Sequence, residues 1–150
     1  MLVGADLRWL PVTNDVIEVS AVVLRSPTGE VLTVRKRGTA RFMLPGGKPE
    51  AGETPAQTAV RECAEEIGVE LEPDALRELG VFTDAAANET DRLVRGTVYV
   101  HPAVPVVAAA REIAELRWLD PDARPLPPDL APMLEHQVLP ALRREPRGAA

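Results

Sequence analysis

The stretch from Leu44 to Leu71, LPGGKPEAGETPAQTAVRECAEEIGVEL, concentrates side chains that could do chemistry. Five of its six glutamates fall at positions 50, 53, 62, 65 and 66, with Arg61 among them. Glu62, Glu65 and Glu66 stand at i, i+3 and i+4, a spacing that gathers side chains on one side of a helix. Like charges so placed repel by roughly 0.2–0.5 kcal/mol per exposed pair. Burial raises that cost unless a cation compensates. Two cations are available in principle: Arg61, and a divalent metal ion. An all-carboxylate donor set suits a hard ion such as Mg2+, Mn2+ or Ca2+ rather than a soft one. No Cys/His cluster points to structural zinc, since His101 and His136 are isolated and Cys63 is the single cysteine. The competing account is a solvated, glutamate-rich helix face.

The elements that must position these acids are legible. Thr54 is suited to cap a helix and Pro55 to its first position, while Gly68 marks the stop. Ala56, Ala59, Val60, Cys63 and Ile67 then share an apolar face beside the carboxylate face. Gly46 and Gly47 permit tight geometry and close approach of backbone to a ligand. Glu53, at the loop–helix junction, is placed to pair with Arg61 and hold the loop against the helix, which would preorganise the acidic cluster.

Around this centre, VIEVSAVVL (Val16–Leu24) and VLTVRKR (Val31–Arg37) read as strands joined by the turn SPTGE, as a hairpin or as neighbours. Strands are expected over Leu76–Thr83 and Arg92–His101, and a short one over Leu116–Leu119. DLAPMLEHQVLPALRR reads as a closing helix with a bend near Pro140. Residues 1–15 form a lead-in, 16–144 a single domain, and 145–150 a fraying tail. Strands, a helix, more strands and a final helix imply an α/β layered domain. Arg35, Lys36 and Arg37 offer phosphate donors, with Arg35 and Arg37 on one side of the strand and Lys36 on the other. Phe42, Phe82, Tyr99 and Trp118 are candidate base-stacking groups.

Composition bounds the partners. The 150 residues carry 45% apolar content, enough for one sizeable core. The net charge of -6 argues against long nucleic acid as a partner. An anionic substrate would therefore need a local positive source. The N-terminus lacks a signal-peptide pattern, and the run from 102 to 110 is too short to span a membrane, so a cytoplasmic location is expected. Trp9 and the proline-rich segment 121–128 are candidate surfaces for a homodimer.

The central segment resembles the Nudix box: Gly, five residues, Glu, seven residues, then Arg-Glu-aliphatic-any-Glu-Glu-any-Gly-aliphatic. Here it runs from Gly47 to Glu53 and resumes as Arg61-Glu62-Cys63-Ala64-Glu65-Glu66-Ile67-Gly68-Val69. Every fixed residue is present; Cys63 stands where an aliphatic residue is usual, and as a small hydrophobe it should pack there. The resemblance implies an α/β/α sandwich around a mixed sheet and a metal-dependent pyrophosphohydrolase using Mg2+ or Mn2+. Glu62, Glu65 and Glu66 would bind the metal, with the Gly46 carbonyl adding a ligand. Glu53 and Arg61 would support the loop–helix geometry, and Lys48 matches a common residue beside the box, placed for substrate. By the same resemblance the general base, which also approaches the metal, would be Glu112, six residues before Trp118, with Glu115, Glu89 and Asp91 as rivals. The substrate implied is a nucleotide. A MutT-like conversion of a nucleoside triphosphate, such as an oxidised purine nucleotide, to monophosphate and pyrophosphate leads. ADP-ribose or nucleotide-sugar cleavage is the alternative, and a nucleotide-binding sensor is the non-enzymatic one.

Overall fold

Nine residues rich in Val and Ile, Val16–Leu24, form β1, the strand on which the architecture is built. The structure is a computed structural model, and it describes residues 16–89, 91–106 and 109–145. The lead-in with Trp9 and residues 146–150 lie outside the described residues. After β1 come β2 (Val31–Lys36), β3 (Gly46–Gly47), α1 (Pro55–Ile67), β4 (Arg77–Ala85), β5 (Leu93–His101) and β6 (Ile113–Leu119). A π-helical turn, Leu134–Val138, leads into α2 (Leu139–Arg144). No helix among the described residues is long and apolar enough to cross a membrane.

The main sheet has the order β3-β1-β5-β4. β1 and β5 run parallel from Val16↔Leu93 to Leu24↔His101, while β3 and β4 are antiparallel to their neighbours. The sheet is therefore mixed. β2 and β6 form a separate antiparallel pair. The hairpin alternative for β1 and β2 is corrected here. The turn closes through Ser26 N–H to the Glu30 carbonyl at 2.8 Å, yet the strands then part. One edge of β1 is taken along its length by β5 and the other is met by β3 at Ser20 and Ala21, while β2 pairs with β6.

Alternation along β1 divides the interior. Ala21 and Val23 join Val98, Val100 and the side chains of the C-terminal helical segment, Leu134, Val138 and Leu139. Val22 and Leu24 join Tyr99 and the apolar face of α1, Ala59, Cys63 and Ile67. One helix thus covers each face of the sheet, giving the α/β/α sandwich. Cys63 is fully buried, and burial pushes its thiol up to about 12, so it packs as a neutral apolar group.

Helix α1 begins and ends where local chemistry dictates. Thr54 Oγ1 accepts the Gln57 N–H at 3.2 Å, and the Gln57 side chain accepts the Thr54 N–H at 2.9 Å, a reciprocal capping box. At the other end Gly68 takes φ 66°, a left-handed conformation that glycine adopts without steric cost. The bend expected near Pro140 takes the form of the π turn before it. Proline has no N–H to return to the preceding turn, and the chain widens so that Leu139 N–H bonds the Leu134 carbonyl. Glu145, expected in the frayed tail, is instead held by both terminal nitrogens of Arg77, at 2.8 and 3.0 Å.

Because Ile67 is fully buried under the sheet, Ile67→Ala should lower unfolding stability by about 2–5 kcal/mol in urea titration. Val81→Ala, at a side chain 54% exposed, should stay within about 0.5 kcal/mol. Equal losses would show that α1 is not packed as described.

Candidate active site

A cleft of about 460 Å3 opens where the glycine pair of β3 faces α1. Glu62, Glu65 and Glu66 line it together with Lys36, Gly46, Gly47, Lys48, Glu89 and Glu112. The carboxylate face of α1 thus becomes one wall, as the helical spacing predicts, while Cys63 and Ile67 anchor the same turn in the core.

The two glycines set how closely that wall approaches the sheet. A Cβ on Gly47 would stand 2.5 Å from Glu62 Cδ, so only glycine lets this carboxylate lie against the backbone. A Cβ on Gly46 would stand 2.1 Å from the Ser20 carbonyl oxygen, so any side chain there would force β3 away from β1. With that approach allowed, the Gly46 N–H donates to Glu66 Oε1 at 3.1 Å.

Glu66 is 1% exposed, and its Oε2 lies 3.3 Å from Lys36 Nζ. Burial pushes its carboxyl up to about 7, against the opposing pull of Lys36 and the Gly46 N–H. A carboxylate so deeply placed with one lysine for compensation favours additional positive charge beside it.

Arg61 sits behind the wall and ties it to the loop. Its Nε and Nη2 grip Glu53 Oε2 and Oε1 at 2.6 and 3.0 Å, and Nη2 also donates to the Lys48 carbonyl at 2.9 Å. Its Nη1 is shared between Glu62 Oε2 at 3.0 Å and Glu65 Oε1 at 3.1 Å. Glu53 Oε1 further accepts from the Glu50 N–H at 2.8 Å and Thr58 Oγ1 at 2.9 Å. The Arg61 hydrogen bond, followed by that from the Glu50 amide, holds the Glu53 carboxyl down to about 2. One guanidinium therefore fixes the loop, the helix and two wall carboxylates at once, using the planar fork that lysine lacks.

Among the described residues no three acidic, histidine or cysteine side chains already converge as a ready cage for an ion. The reason is visible in the contacts above: Glu62 and Glu65 turn to Arg61, and Glu66 turns to Lys36. Their chemistry nonetheless fits a hard divalent cation, since the wall offers only oxygen donors and one of them is buried with incomplete charge compensation.

Several residues singled out by sequence lie elsewhere. Arg35 and Arg37 do not line the cleft. Arg35 pairs with Glu115 at 3.1 Å, and Arg37 Nε donates to the Arg111 carbonyl at 2.6 Å. Of the three basic residues only Lys36, the last residue of β2, lines the cleft, and Arg37 lies beyond the strand's end. Phe42 is buried in the core with the Arg117 guanidinium 3.7 Å from its ring centre, and Trp118 is 42% exposed on β6. No aromatic side chain among the described residues lines the cleft. Of the acids outside α1, Glu112 and Glu89 reach it, whereas Glu115 does not. Glu89 pairs with Arg92 at 2.9 Å. The Glu112 carboxylate has no ion-pair partner among the described residues, and its backbone carbonyl accepts the Arg37 N–H at 2.8 Å. Residues 121–128, a candidate dimer surface, begin with a carbonyl, Pro121, that accepts Arg143 Nη2 at 2.9 Å.

The Glu53–Arg61 pair has a pH signature. A carboxyl held below its ordinary value adds stability that is present above about 4.5 and lost as pH falls through about 2. In Arg61→Ala, carbon-detected NMR should show the Glu53 titration midpoint rising from about 2 towards 4.5, and the pH dependence of stability flattening across that window. A midpoint that stays near 2 would show that Arg61 does not hold Glu53.

Residues 16–140 match the family model of the NUDIX domain. A MutT-like protein of Streptomyces ambofaciens is 33% identical over 106 residues, covering 71% of this chain and 64% of that one. A putative 8-oxo-dGTP diphosphatase of Bacillus subtilis is 29% identical over 105 residues, covering 70% and 67%. The chain thus spans about two thirds of the length of these relatives. Among solved structures, the MutT protein from Methanosarcina mazei Go1 superposes with a TM-score of 0.71 at 20% identity, over 87% of this chain and 96% of that one, which shows a shared fold. With the domain match running from β1 to Pro140, and with the two glycines and three wall glutamates lining one cleft braced by the Glu53–Arg61 pair, the chain belongs to the Nudix family.

Proposed function

We propose that this protein is a divalent-metal-dependent pyrophosphohydrolase that converts a nucleoside triphosphate to a nucleoside monophosphate and pyrophosphate. The observation that carries the reading is the acidic wall: three carboxylates on one helical face of a cleft, one of them buried, tied to the glycine loop by a single guanidinium. The relatives named as 8-oxo-dGTP diphosphatases support a triphosphate over nucleoside diphosphates linked to another group. An oxidised purine nucleotide falls within that class.

In this reading Glu62, Glu65 and Glu66 hold the metal, Mg2+ or Mn2+, with the Gly46 carbonyl beside them. When bound, the ion offsets charge on the phosphate oxygens and acidifies a water molecule. Arg61 is a positioning residue: it keeps the loop and helix in register through Glu53 and the Lys48 carbonyl. Lys36 and Lys48, both in the cleft lining, supply positive charge to the phosphates. Arg35 and Arg37, engaged elsewhere, do not take that part in this reading. Glu112 takes a proton from the attacking water. Among the rivals it is favoured because it lines the cleft and its carboxylate has no ion-pair partner among the described residues, while Glu89 is paired with Arg92 and Glu115 with Arg35.

Enzyme stripped with chelator should be inactive towards a panel of nucleotides and regain activity with Mg2+ or Mn2+. Products identified by mass should be monophosphate and pyrophosphate, and water labelled with 18O should mark the attacked phosphorus. Full turnover without metal, or binding without turnover, would defeat the reading; release of a sugar phosphate from a nucleotide sugar in preference would redirect it.

Glu66→Gln keeps the side chain's size but offers the ion a neutral amide in place of a carboxylate. It should weaken Mg2+ binding by calorimetry and lower kcat by at least about tenfold. Glu70→Gln, exposed and beyond Gly68, is the control and should match the parent. If both variants match the parent, Glu66 is not a metal ligand.

A further inference from the structure

Two segments away from α1 complete the cleft. One is the β4–β5 loop, whose residues 85–89 line it. The other is the start of the π turn, where Met133 and Leu134 line it. The sheet holds these segments together at two points. On β5, a Cβ on Gly96 would stand 2.8 Å from the terminal methyl carbon of Met133 and 2.9 Å from its sulfur, so the thioether lies on bare backbone. The register partner of Gly96 on β4 is Phe82, and two residues beyond Phe82 stands the second point, Asp84.

Asp84 is a carboxylate where the strand pattern calls for an apolar side chain. It shares a face of β4 with Phe82, which packs against the core between the sheet and the C-terminal helical segment. Its register partner Val94 packs against the same core. With the Asp84 side chain only 18% exposed, its charge must be met by hydrogen bonds. Oδ1 accepts the Ala85 N–H at 2.7 Å, and Oδ2 accepts Gln137 Nε2 at 3.3 Å and faces His136 Nδ1 at 3.2 Å. Burial opposes the charge, but the bonds from Ala85, Gln137 and His136 outweigh it and hold the carboxyl below its ordinary value. His136 and Gln137 are consecutive residues of the π turn, and both reach one oxygen. β4 is also an edge strand, paired by main chain to β5 alone among the described residues. Side chains must therefore fix how its end sits against the helical segment. Apolar packing tolerates several offsets between two such surfaces, whereas a carboxylate with three directional donors specifies one.

Resting on the pyrophosphohydrolase reading, we propose that Asp84 is a positioning residue: its carboxylate clasps the base of the β4–β5 loop to the π turn and so fixes the width of the cleft between residues 85–89 and Met133–Leu134. Asp84, His136 and Gln137 do not themselves line the cleft, so the clasp acts through the segments on either side of it. The acidic wall stands on α1, which packs on the other face of the sheet, so metal binding is independent of the clasp.

The test is steady-state kinetics of the full-length protein with Mg2+ on dGTP and 8-oxo-dGTP, with Mn2+ binding followed by calorimetry in the absence of nucleotide. Asp84→Ala should raise KM by about fivefold or more while kcat and the Mn2+ Kd stay within about twofold of the parent, the pattern of binding lost equally from ground and transition states. Asp84→Asn, which keeps an acceptor oxygen for Gln137 and His136, should recover part of the KM. The double variant His136→Ala/Gln137→Ala, altered only on the helical side, should reproduce the KM rise. Adding it to Asp84→Ala should change KM by less than about twofold more, because the three side chains act as one unit. The double variant also carries the test if Asp84→Ala does not fold. A smaller KM rise in the variants that fold, or a loss of Mn2+ affinity along with it, overturns the proposal while leaving the pyrophosphohydrolase reading intact. A parent enzyme that turns over neither nucleotide refutes that reading for this substrate class, and this proposal with it.

Discussion

The arrangement hinges on one guanidinium. Arg61 engages Glu53, the Lys48 carbonyl, Glu62 and Glu65; the first two contacts tie the loop to the helix, and the last two hold the wall carboxylates on it. Four acidic and carbonyl partners around one planar cation satisfy its donors and neutralise much of the repulsion that the i, i+3 and i+4 glutamates create. A lysine could supply the charge but not the fork. The spacing of eight residues between Glu53 and Arg61 therefore has a physical reason: it is the reach from the junction before the helix cap to the helix's second turn.

The second constraint is proximity. Glu66 is buried where Gly46 and Gly47 of β3 meet α1; a Cβ on Gly46 would strike the Ser20 carbonyl of β1, and one on Gly47 would displace the Glu62 carboxylate. Burial raises the energy of the ionised carboxylate, and Lys36 together with the Gly46 amide offsets only part of it. The wall is thus a site of incomplete compensation, held in place by an apolar helix face that is itself fully packed. Stability is supplied by Ala59, Cys63 and Ile67, which leaves the opposite face free to carry charge for function.

Most of this was readable before the coordinates, because it depends on local rules. The start and stop of α1 follow from Thr54, Pro55 and Gly68, and the carboxylate face follows from helical period. The Glu53–Arg61 pair follows from position at a loop–helix junction. What local rules do not carry is which edge of a strand is free and which side of it meets the cleft. Both β1 and β2 read as strands, but their separation is decided by β5 and β6, which lie far along the chain. For the same reason alternation placed Lys36 opposite Arg35 and Arg37 without saying which side faced the acids. Phe42 and Trp118 carry no local mark of burial or exposure, and only the packing of Phe42 against Arg117 shows that its ring faces are occupied. The close packing of the Met133 thioether on Gly96 joins residues far apart in sequence and has no local signature at all.

The central claim is that the acidic wall of α1 is a metal site. Crystals of the protein grown with Mn2+ offer the most direct measurement, through the anomalous scattering of the ion. The account predicts a peak in the cleft with carboxylate oxygens of Glu62, Glu65 and Glu66 bound directly at about 2.0–2.6 Å or hydrogen-bonded to waters at that distance from the ion. It also predicts that Arg61 keeps its hold on Glu53 while releasing Glu62 or Glu65 to the ion. A peak elsewhere, or none in the cleft at saturating Mn2+ with Arg61 still bridging both glutamates, would contradict it.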